Sequence, residues 1–217
     1  AYKVGRQESG DGMSLSLRPA RANDSMIAAA LLAETTGEFG VEVLGLGRAE
    51  LQFRALQRWF EEKGNRFSYE FSTIAERYGM AAGLLLAFPG GSLNKLTLGC
   101  GRRIFDIYSF PGGLRMMWLN KSLSGKREAE KDEYLIAHLA VDERSRRLGI
   151  GKVLLEKAVQ DAKELNYKKL VLEVEIGNDK AITLYQQAGF KKVDTILFNK
   201  KHVTIYSPGM YKMLKIL

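Results

Sequence analysis

The sequence is poor in the residues that cross-link a chain or hold a structural metal. Its 217 residues contain a single cysteine, Cys100, and two histidines. One thiol excludes an intrachain disulfide framework and a cysteine-rich zinc module, and it is compatible with a reducing compartment. We therefore expect no metal and a cytoplasmic protein whose fold depends on its apolar core. Cys100 has no matched partner in the sequence, so a catalytic thiol is not expected.

Long hydrophobic runs are missing as well. The longest, residues 80–88, is interrupted by Gly83 and is far shorter than the ~20 residues that a membrane-spanning helix needs. Residues 1–12 are polar and do not resemble a secretory signal, so we interpret them as a leader or flexible tail. Because 46% of the residues are hydrophobic, a sizeable core is expected, and we predict a single domain over residues 13–217.

Acidic residues are fewer than basic ones, 25 against 33, which leaves a net charge of +8. Such an excess suits three anionic partners, namely nucleic acid, a membrane surface or an anionic small molecule. Most of it lies after residue 120, so an anion site is expected there. The basic residues form neither a patch interleaved with aromatic residues nor a recognisable nucleic-acid module. The sequence therefore favours an anionic small molecule over nucleic acid.

Hydrophobic periodicity predicts alternating strands and helices along the chain. In the first half, strands are predicted at 15–19, 71–76 and 80–88, and helices at 25–32, ending at the break 35–37, and at 50–60. After residue 133 the pattern predicts strand 134–141, helix 150–165, strand 170–176, helix 181–188, a strand that begins at 190 and a final strand near 203–206 or 211–217. This order predicts an α/β layer architecture.

Residues 89–131 are the least regular part of the sequence. Two Phe-Pro-Gly-Gly sequences, at 88–91 and 110–113, predict tight turns, because proline restricts φ and glycine frees it. Residues 93–108 fit either a helix or a pair of strands. The apolar cluster at 114–119 fits either core packing or a methionine-rich wall of a substrate pocket. Residues 121–131 are charged and are predicted to form an exposed loop.

A glycine-containing loop, residues 146–151 (RRLGIG), connects a predicted strand to the long helix. The N–H groups at a helix start lack partners within the helix and lie at the positive end of its dipole. Glycine lets a ligand approach the main chain, and Arg146, Arg147 and Lys152 add positive charge. The loop therefore predicts a diphosphate site. It is neither a P-loop, which needs glycine at position 146, nor a dinucleotide fingerprint, which needs a small residue at Leu154.

The loop is part of a longer pattern that includes the strand before it and the short helix after it. The elements of the pattern are Leu139-Ala140-Val141, Arg146-x-x-Gly149-x-Gly151, Asn178-x-x-Ala181, Tyr185 and Gly189-Phe190. This pattern resembles the GNAT superfamily of N-acetyltransferases over residues 133–192. The resemblance weakens at 17–20 and 71–88 and is absent over 92–131. It implies a GNAT fold, a mixed and mostly antiparallel sheet splayed between two central parallel strands, with helices on both faces and a variable insertion at about 89–131.

The resemblance also implies an activity, the transfer of an acetyl group from the thioester of acetyl-CoA to a primary amine by direct attack. It implies that the Leu139 N–H donates to the thioester oxygen and that Tyr185 is the general acid that protonates the departing thiolate. Asn178 would bind the pantetheine arm, cap its helix, or do both. The residues implied to bind acetyl-CoA are Leu139, Ala140, Val141, Arg146, Arg147, Leu148, Gly149, Ile150, Gly151, Lys152, Asn178 and Tyr185.

Two residues compete for the role of general base. Glu173 lies in a Leu-Glu-Val sequence similar to the corresponding strand of ribosomal-protein and peptide N-terminal acetyltransferases, and its carboxylate could take a proton from the amine. Glu175 shares its face of the strand, so either carboxylate could serve as the base. Both could instead attract a cationic amine or belong to a solvated strand face. His138, in the strand before Leu139, is either a second base or a buried structural histidine. We rank Glu173 first and His138 second.

Other functions remain open on the sequence alone. The chain could be a CoA-binding regulatory protein that lacks turnover, although Tyr185 and Glu173 argue for an enzyme. The acceptor, a small-molecule amine or a peptide, would contact residues 25–65 and 88–131, which follow no family pattern. No membrane partner is expected, and a homodimer is compatible with the sequence.

Overall fold

Seven strands form one sheet in the computed structural model, which describes residues 15–123, 128–198 and 207–217. Only β4 and β5 are parallel, and the other neighbours are antiparallel. This confirms the mixed, mostly antiparallel sheet with two central parallel strands. In their order across the sheet, the strands are β1 (Leu15–Pro19), β2 (Ser72–Arg77), β3 (Met80–Pro89), β4 (Glu133–Val141), β5 (Lys169–Glu175), β7 (Gly209–Ile216) and β6 (Lys191–Leu197).

Helices cover both faces of the sheet, as the fold class requires. Alternation along β3 places Leu84 and Leu86 in one apolar core and Leu85 in a second core on the opposite face. The first core is covered by α1 (Ser25–Val43), α2 (Ala49–Glu61), α3 (Leu93–Cys100), α4 (Ile104–Ile107) and α5 (Phe110–Leu123). The second is covered by α6 (Ile150–Glu164) and α7 (Asp179–Gln187). No helix within the described ranges is long and apolar enough to cross a bilayer.

The first helix is longer than the sequence predicts. Gly37, with φ 49° and ψ −144°, interrupts the helical backbone of α1. The helix resumes after this kink and continues to Val43, which is completely buried. The predicted break is therefore a kink and not an end, because the apolar residues beyond it still have a core to pack against.

The irregular middle of the sequence is helical. Residues 93–107 form α3 and α4 rather than strands, and Gly90–Ser92 make one turn of 3-10 helix before α3. The second Pro-Gly-Gly sequence begins α5, so the tight turn predicted there is wrong. Proline is tolerated in the first turn of a helix. The glycine at 113 allows close packing, since a Cβ at Gly113 would lie 2.7 Å from the Cγ2 atom of Ile104.

The predicted exposed loop at 121–131 is also only partly correct. Residues 121–123 belong to α5, and 124–127 lie outside the described residues. Ala129 is completely buried, because it belongs to the first core and lies against Gly90, and Glu128 is half-buried. Of the two positions considered for the final strand, 211–217 corresponds closely to β7, and 203–206 lies outside the described residues.

The two central strands separate part of the way along their length. Strands β4 and β5 pair from Glu133 with Lys169 to Ile136 with Leu172 and not beyond. The register of β4 against β3 shifts at the same point, since Leu86 faces His138 and Ala87 faces Ile136. This bulge at Ala137 bends β4 where the splay begins. The predicted splay is therefore confirmed, and it opens a gap between His138 and the end of β5.

Close packing of α3 on the loop after α2 leads to a stability prediction. A Cβ at Gly99 would overlap the carbonyl oxygen of Gly64, whereas a Cβ at Gly101 has no atom within 4 Å. We expect Gly99→Ala to lower the free energy of unfolding by about 1–3 kcal/mol through overpacking. Gly101→Ala, in helical backbone, should leave it unchanged or raise it by up to about 1 kcal/mol. Urea unfolding measures both, and equal stability of the two variants would contradict the packing argument.

Candidate active site

A cavity of about 510 Å³ occupies the gap between β4 and β5. We call it the splay cavity. It brings together residues that the sequence places far apart, including Tyr185, Glu173 and His138, the three predicted catalytic residues. Leu139 and Asn178 line it as well. Its remaining walls come from α1, from the end of α2 and from the α3–α5 helices.

Glu173 projects from β5 into a poorly solvated environment. Its Oε1 atom is buried and has no hydrogen-bond partner among the described residues. Burial raises the pKa of Glu173 to about 7, with a further increase from Glu128, and Arg66 and Lys212 act in the opposite direction. A carboxyl group with this pKa is half-ionised near neutral pH, which suits a group that accepts a proton and releases it again.

Tyr185 lies on α7 against the second core. The residue is 8% exposed, and its ring lies 6.0 Å from that of Phe190 between centroids. Burial raises the pKa of the Tyr185 phenol to about 12, so the hydroxyl stays protonated at neutral pH. The helix begins with Asn178, whose side-chain oxygen accepts a hydrogen bond from the Ala181 N–H at 3.2 Å. Asn178 therefore caps α7, one of its two predicted roles.

His138 lies beside the bulge on β4. Its Nδ1 atom is 2.9 Å from the hydroxyl oxygen of Thr35, and its ring stacks on Phe67 with centroids 5.5 Å apart. Burial and the charge of Arg66 lower the pKa of His138 to about 3, against a smaller opposing effect of Glu128. The ring is therefore neutral at physiological pH. This environment argues against His138 as a proton acceptor at physiological pH.

An ion pair between Arg66 and Glu128 lies in the wall of the splay cavity, and sequence reasoning missed it. The two side chains make a bidentate contact with N–O distances of 2.8 and 2.6 Å. Glu128 holds the pKa of Arg66 above its usual value, and Arg66 lowers that of Glu128. The partners are 62 residues apart in the chain, so no local spacing indicates them. Their charges act on both His138 and Glu173.

The glycine-containing loop forms the start of α6. Arg147 and Gly149 have left-handed backbones, with φ of 64° and 77°, and a Cβ at Gly149 would have no atom within 4 Å. A non-glycine residue with positive φ is uncommon and is often found where the backbone has a special task. Of the other loop residues, Ile150 is 1% exposed and packs in the second core with Leu148 beside it. These two side chains are therefore structural.

The basic side chains of this loop differ in their surroundings. Arg146 donates from Nε to the Val141 carbonyl at 3.1 Å and pairs with both carboxylate oxygens of Glu34, the shorter contact being 2.8 Å. Lys152 lies 3.9 Å from Glu156 and is largely exposed. Arg147 is exposed too. Arg147 and Lys152 are thus the cations that can meet an anion at the start of α6.

The strand segment before the loop has one edge paired with β3 and one edge toward the splay. Leu139, Ala140 and Val141 pair with β3, and the pairing of β4 with β5 ends at Ile136. An extended ligand can add to such an edge by main-chain hydrogen bonds.

The methionine-rich part of α5 contributes both to core packing and to the wall of the cavity, the two roles considered for it. Met116 is 5% exposed and belongs to the first core, and it also lines the splay cavity. Met117 is 51% exposed and lines the cavity as well. Cys100 lies in the same wall, where burial raises the pKa of its thiol to about 11. The thiol is therefore protonated at neutral pH and is a poor nucleophile.

Comparison with known proteins gives a family match over part of the chain. Residues 107–190 match the model of the Acetyltransferase (GNAT) family. A segment of 62 residues, which is 28% of this chain and 37% of that protein, is 42% identical to the N-alpha-acetyltransferase of Sulfurisphaera tokodaii. A segment of 55 residues, which is 25% of this chain and 15% of that protein, is 47% identical to human N-alpha-acetyltransferase 30. The chain thus spans well under half the length of these relatives.

Solved structures share the fold over nearly the whole chain. An N-acetyltransferase from Staphylococcus aureus Mu50 superposes with a TM-score of 0.69 and 20% identity, covering 92% of this chain and 99% of that one. Arabidopsis thaliana Naa50 in complex with the bisubstrate analogue CoA-Ac-MVNAL gives a TM-score of 0.52 and 17% identity, covering 94% and 99%. The splayed sheet and these neighbours show that the chain has the GNAT fold, and residues 107–190 match the GNAT family model.

Proposed function

We propose that this protein transfers an acetyl group from acetyl-CoA to the terminal amine of a peptide. The observation that carries the proposal is the splay cavity, which places a carboxyl group with a pKa of about 7 and a protonated phenol in one pocket. The relatives with matching segments are named N-alpha-acetyltransferases, and a structural neighbour was solved with a CoA–peptide bisubstrate analogue. Both support a peptide acceptor over a small amine.

The residues at the start of α6 fit the diphosphate of acetyl-CoA. The left-handed backbone at Arg147 and Gly149 and the open space around Gly149 leave room for an anion at the N-terminus of a 15-residue helix. Arg147 and Lys152 supply charge from the surface. Because Arg146 is already paired with Glu34, we assign it to holding the shape of the loop.

The pantetheine arm is assigned to the free edge of β4. Leu139, Ala140 and Val141 offer main-chain groups there, and the Leu139 N–H is the donor proposed for the carbonyl oxygen of the acetyl group. Asn178, at the start of α7, and Tyr185, within it, line the same cavity. Acetyl-CoA supplies the acetyl group in activated form, as a thioester.

The proton transfers are assigned to Glu173 and Tyr185. Glu173 accepts the proton that the attacking amine loses, and its pKa of about 7 is close to that of a terminal amine, about 8. Tyr185 donates its phenolic proton to the departing thiolate. Both residues return to their starting states by exchange with solvent.

We assign the acceptor side of the cavity to the α3–α5 helices, which lie in the predicted insertion. That residues 13–217 form a single domain around this insertion stays a prediction. A cytoplasmic location and a homodimer stay predictions.

An acetylation assay with the full chain tests the proposal. Release of CoA is followed for a peptide with a free N-terminus, for the same peptide with a blocked N-terminus and an internal lysine, and for a polyamine. We expect the free N-terminus to react at least tenfold faster than the other two. Faster transfer to lysine or the polyamine would overturn the acceptor assignment. Binding of CoA without transfer to any amine would instead support a regulatory protein.

A further inference from the structure

The ring of His138 is held in one orientation by two neighbours. Its Nδ1 atom contacts the hydroxyl of Thr35 on α1, and its plane stacks on Phe67. Phe67 in turn stacks on Trp59 with centroids 5.5 Å apart. A hydrogen bond from α1 and a row of stacked rings thus fix a side chain that lines the splay cavity.

The Thr35 hydroxyl determines which nitrogen of His138 carries the proton. Its oxygen lies 2.9 Å from the Leu32 carbonyl as well as 2.9 Å from Nδ1. A carbonyl oxygen only accepts, so the single hydroxyl hydrogen is donated to Leu32. The Thr35 oxygen must then accept from an N–H at Nδ1. This pattern of contacts favours a ring protonated on Nδ1, whose Nε2 atom presents a lone pair.

That lone pair has no donor among the residues that the structure describes. Nε2 of His138 and Oε1 of Glu173 are both buried without hydrogen-bond partners among the described residues, and both residues line the splay cavity. Buried acceptors without donors are unfavourable. When Glu173 is ionised, the cavity therefore contains two such acceptors, which suit a ligand group that brings two donors. The unbranched side chains of Met116 and Met117 in the same wall can move to admit it.

We propose that His138 and Glu173 together select primary amines, with Nε2 of His138 accepting a hydrogen bond from the N–H that the amine keeps and Glu173 taking the proton that it loses. Thr35 is a positioning residue, because it holds the ring proton on Nδ1. The inference rests on the proposed acetyl transfer. There, the nitrogen lone pair forms the bond to the acetyl carbon, the carbon–sulfur bond breaks, and the thiolate takes its proton from Tyr185. His138 exchanges no proton.

The charges around the ring agree with this division of roles. Arg66 and Glu128 are the charged groups that act on His138, and Arg66 together with burial keeps the ring neutral. Glu128, Arg66, Lys212 and Asp194 act on Glu173, which titrates near neutral pH. A neutral imidazole accepts a hydrogen bond at every physiological pH, while Glu173 can gain and lose a proton.

An N-methylated amine tests the selectivity, because it has one N–H fewer and leaves one acceptor without a donor. The readout is the ratio of kcat/KM for a peptide with a primary terminal amine to that for the same peptide N-methylated. We expect His138→Phe, which keeps a ring against Phe67 but has no acceptor, to lower this ratio roughly tenfold or more. His138→Gln, which restores a side-chain oxygen, should recover part of it. An unchanged ratio in His138→Phe would overturn the inference.

A second measurement needs no turnover. The chain has two histidines, so ¹⁵N labelling of histidine gives two ring systems, and His138→Gln assigns them. We expect a neutral Nδ1–H tautomer at His138 between about pH 5 and 8 and a mixture of tautomers in Thr35→Val. An Nε2–H tautomer or a charged ring would overturn the inference. Transfer to no amine at all would overturn the proposed function and the selectivity with it, whereas transfer with an unchanged ratio overturns the selectivity alone.

Discussion

Glu173→Gln is expected to lower kcat by about two to four orders of magnitude, because the amide cannot take the proton of the amine. The change is nearly isosteric, so binding of acetyl-CoA should persist. Glu175→Gln is the matched comparison, since Glu175 lies on the same face of β5 and also lines the splay cavity. We expect at most a tenfold loss there. A loss in Glu175→Gln as large as in Glu173→Gln would mean that the two carboxylates share the role.

The pH dependence of the same variant separates a base from a merely structural residue. The base form of Glu173 is ionised, so kcat/KM of the unaltered protein should rise with pH through an inflection near 7. The peptide amine adds a second inflection near pH 8. Glu173→Gln should lose the first inflection and keep the second. An inflection near 7 that persists in the variant would assign it to another group.

The variant should also be more stable at alkaline pH. The pKa of Glu173 is about 7 in the folded state and 4.5 as a free group, so between these values the folded state binds more protons than the unfolded state. The free energy of unfolding therefore falls as pH rises from about 4.5 to 7. Glutamine removes this loss, and Glu173→Gln should have the higher unfolding midpoint at pH 8. A lower midpoint would contradict the desolvation that raises the pKa.

Removing the carboxylate of Glu128 is expected to destabilise the fold by about 3 kcal/mol, since it leaves Arg66 without its partner in a poorly solvated wall. Broken buried pairs commonly cost about 3–5 kcal/mol. The lower end applies because the side chain of Glu128 is 31% exposed and that of Arg66 is 18% exposed. Urea unfolding of Glu128→Leu measures the loss. The double variant Arg66→Met, Glu128→Leu is the control and should recover most of the stability, because no unpaired charge remains.

Glu128 also influences catalysis through Glu173. Its charge raises the pKa of Glu173, so the inflection of kcat/KM should move below pH 7 in Glu128→Leu. For the stability prediction, equal instability of Glu128→Leu and of the double variant Arg66→Met, Glu128→Leu would mean that the loss of stability comes from packing and not from the unpaired charge.

Much of the fold follows from local sequence patterns. The alternation of β3 and the apolar period of α6 depend on residues two to four apart, and the structure contains both elements close to their predicted bounds. Local patterns did not predict the continuation of α1 beyond its kink or the start of α5. At Gly37 and Gly113 the deciding contacts come from other elements, which the residues beside each glycine do not reveal.

The same division holds for the site. The sequence by itself determined the loop at 146–151, the cap at Asn178 and the candidate residues Glu173 and Tyr185, because each belongs to a short local pattern. His138 was a candidate because it is one of two histidines and lies in the apolar strand before Leu139. Only the tertiary structure decided the environment of these residues. Arg66 and Glu128 reach the cavity from distant parts of the chain, and Thr35 reaches His138 across 103 positions. A pKa and a tautomer depend on desolvation and on the nearest charges and hydroxyls, and the fold alone brings those together.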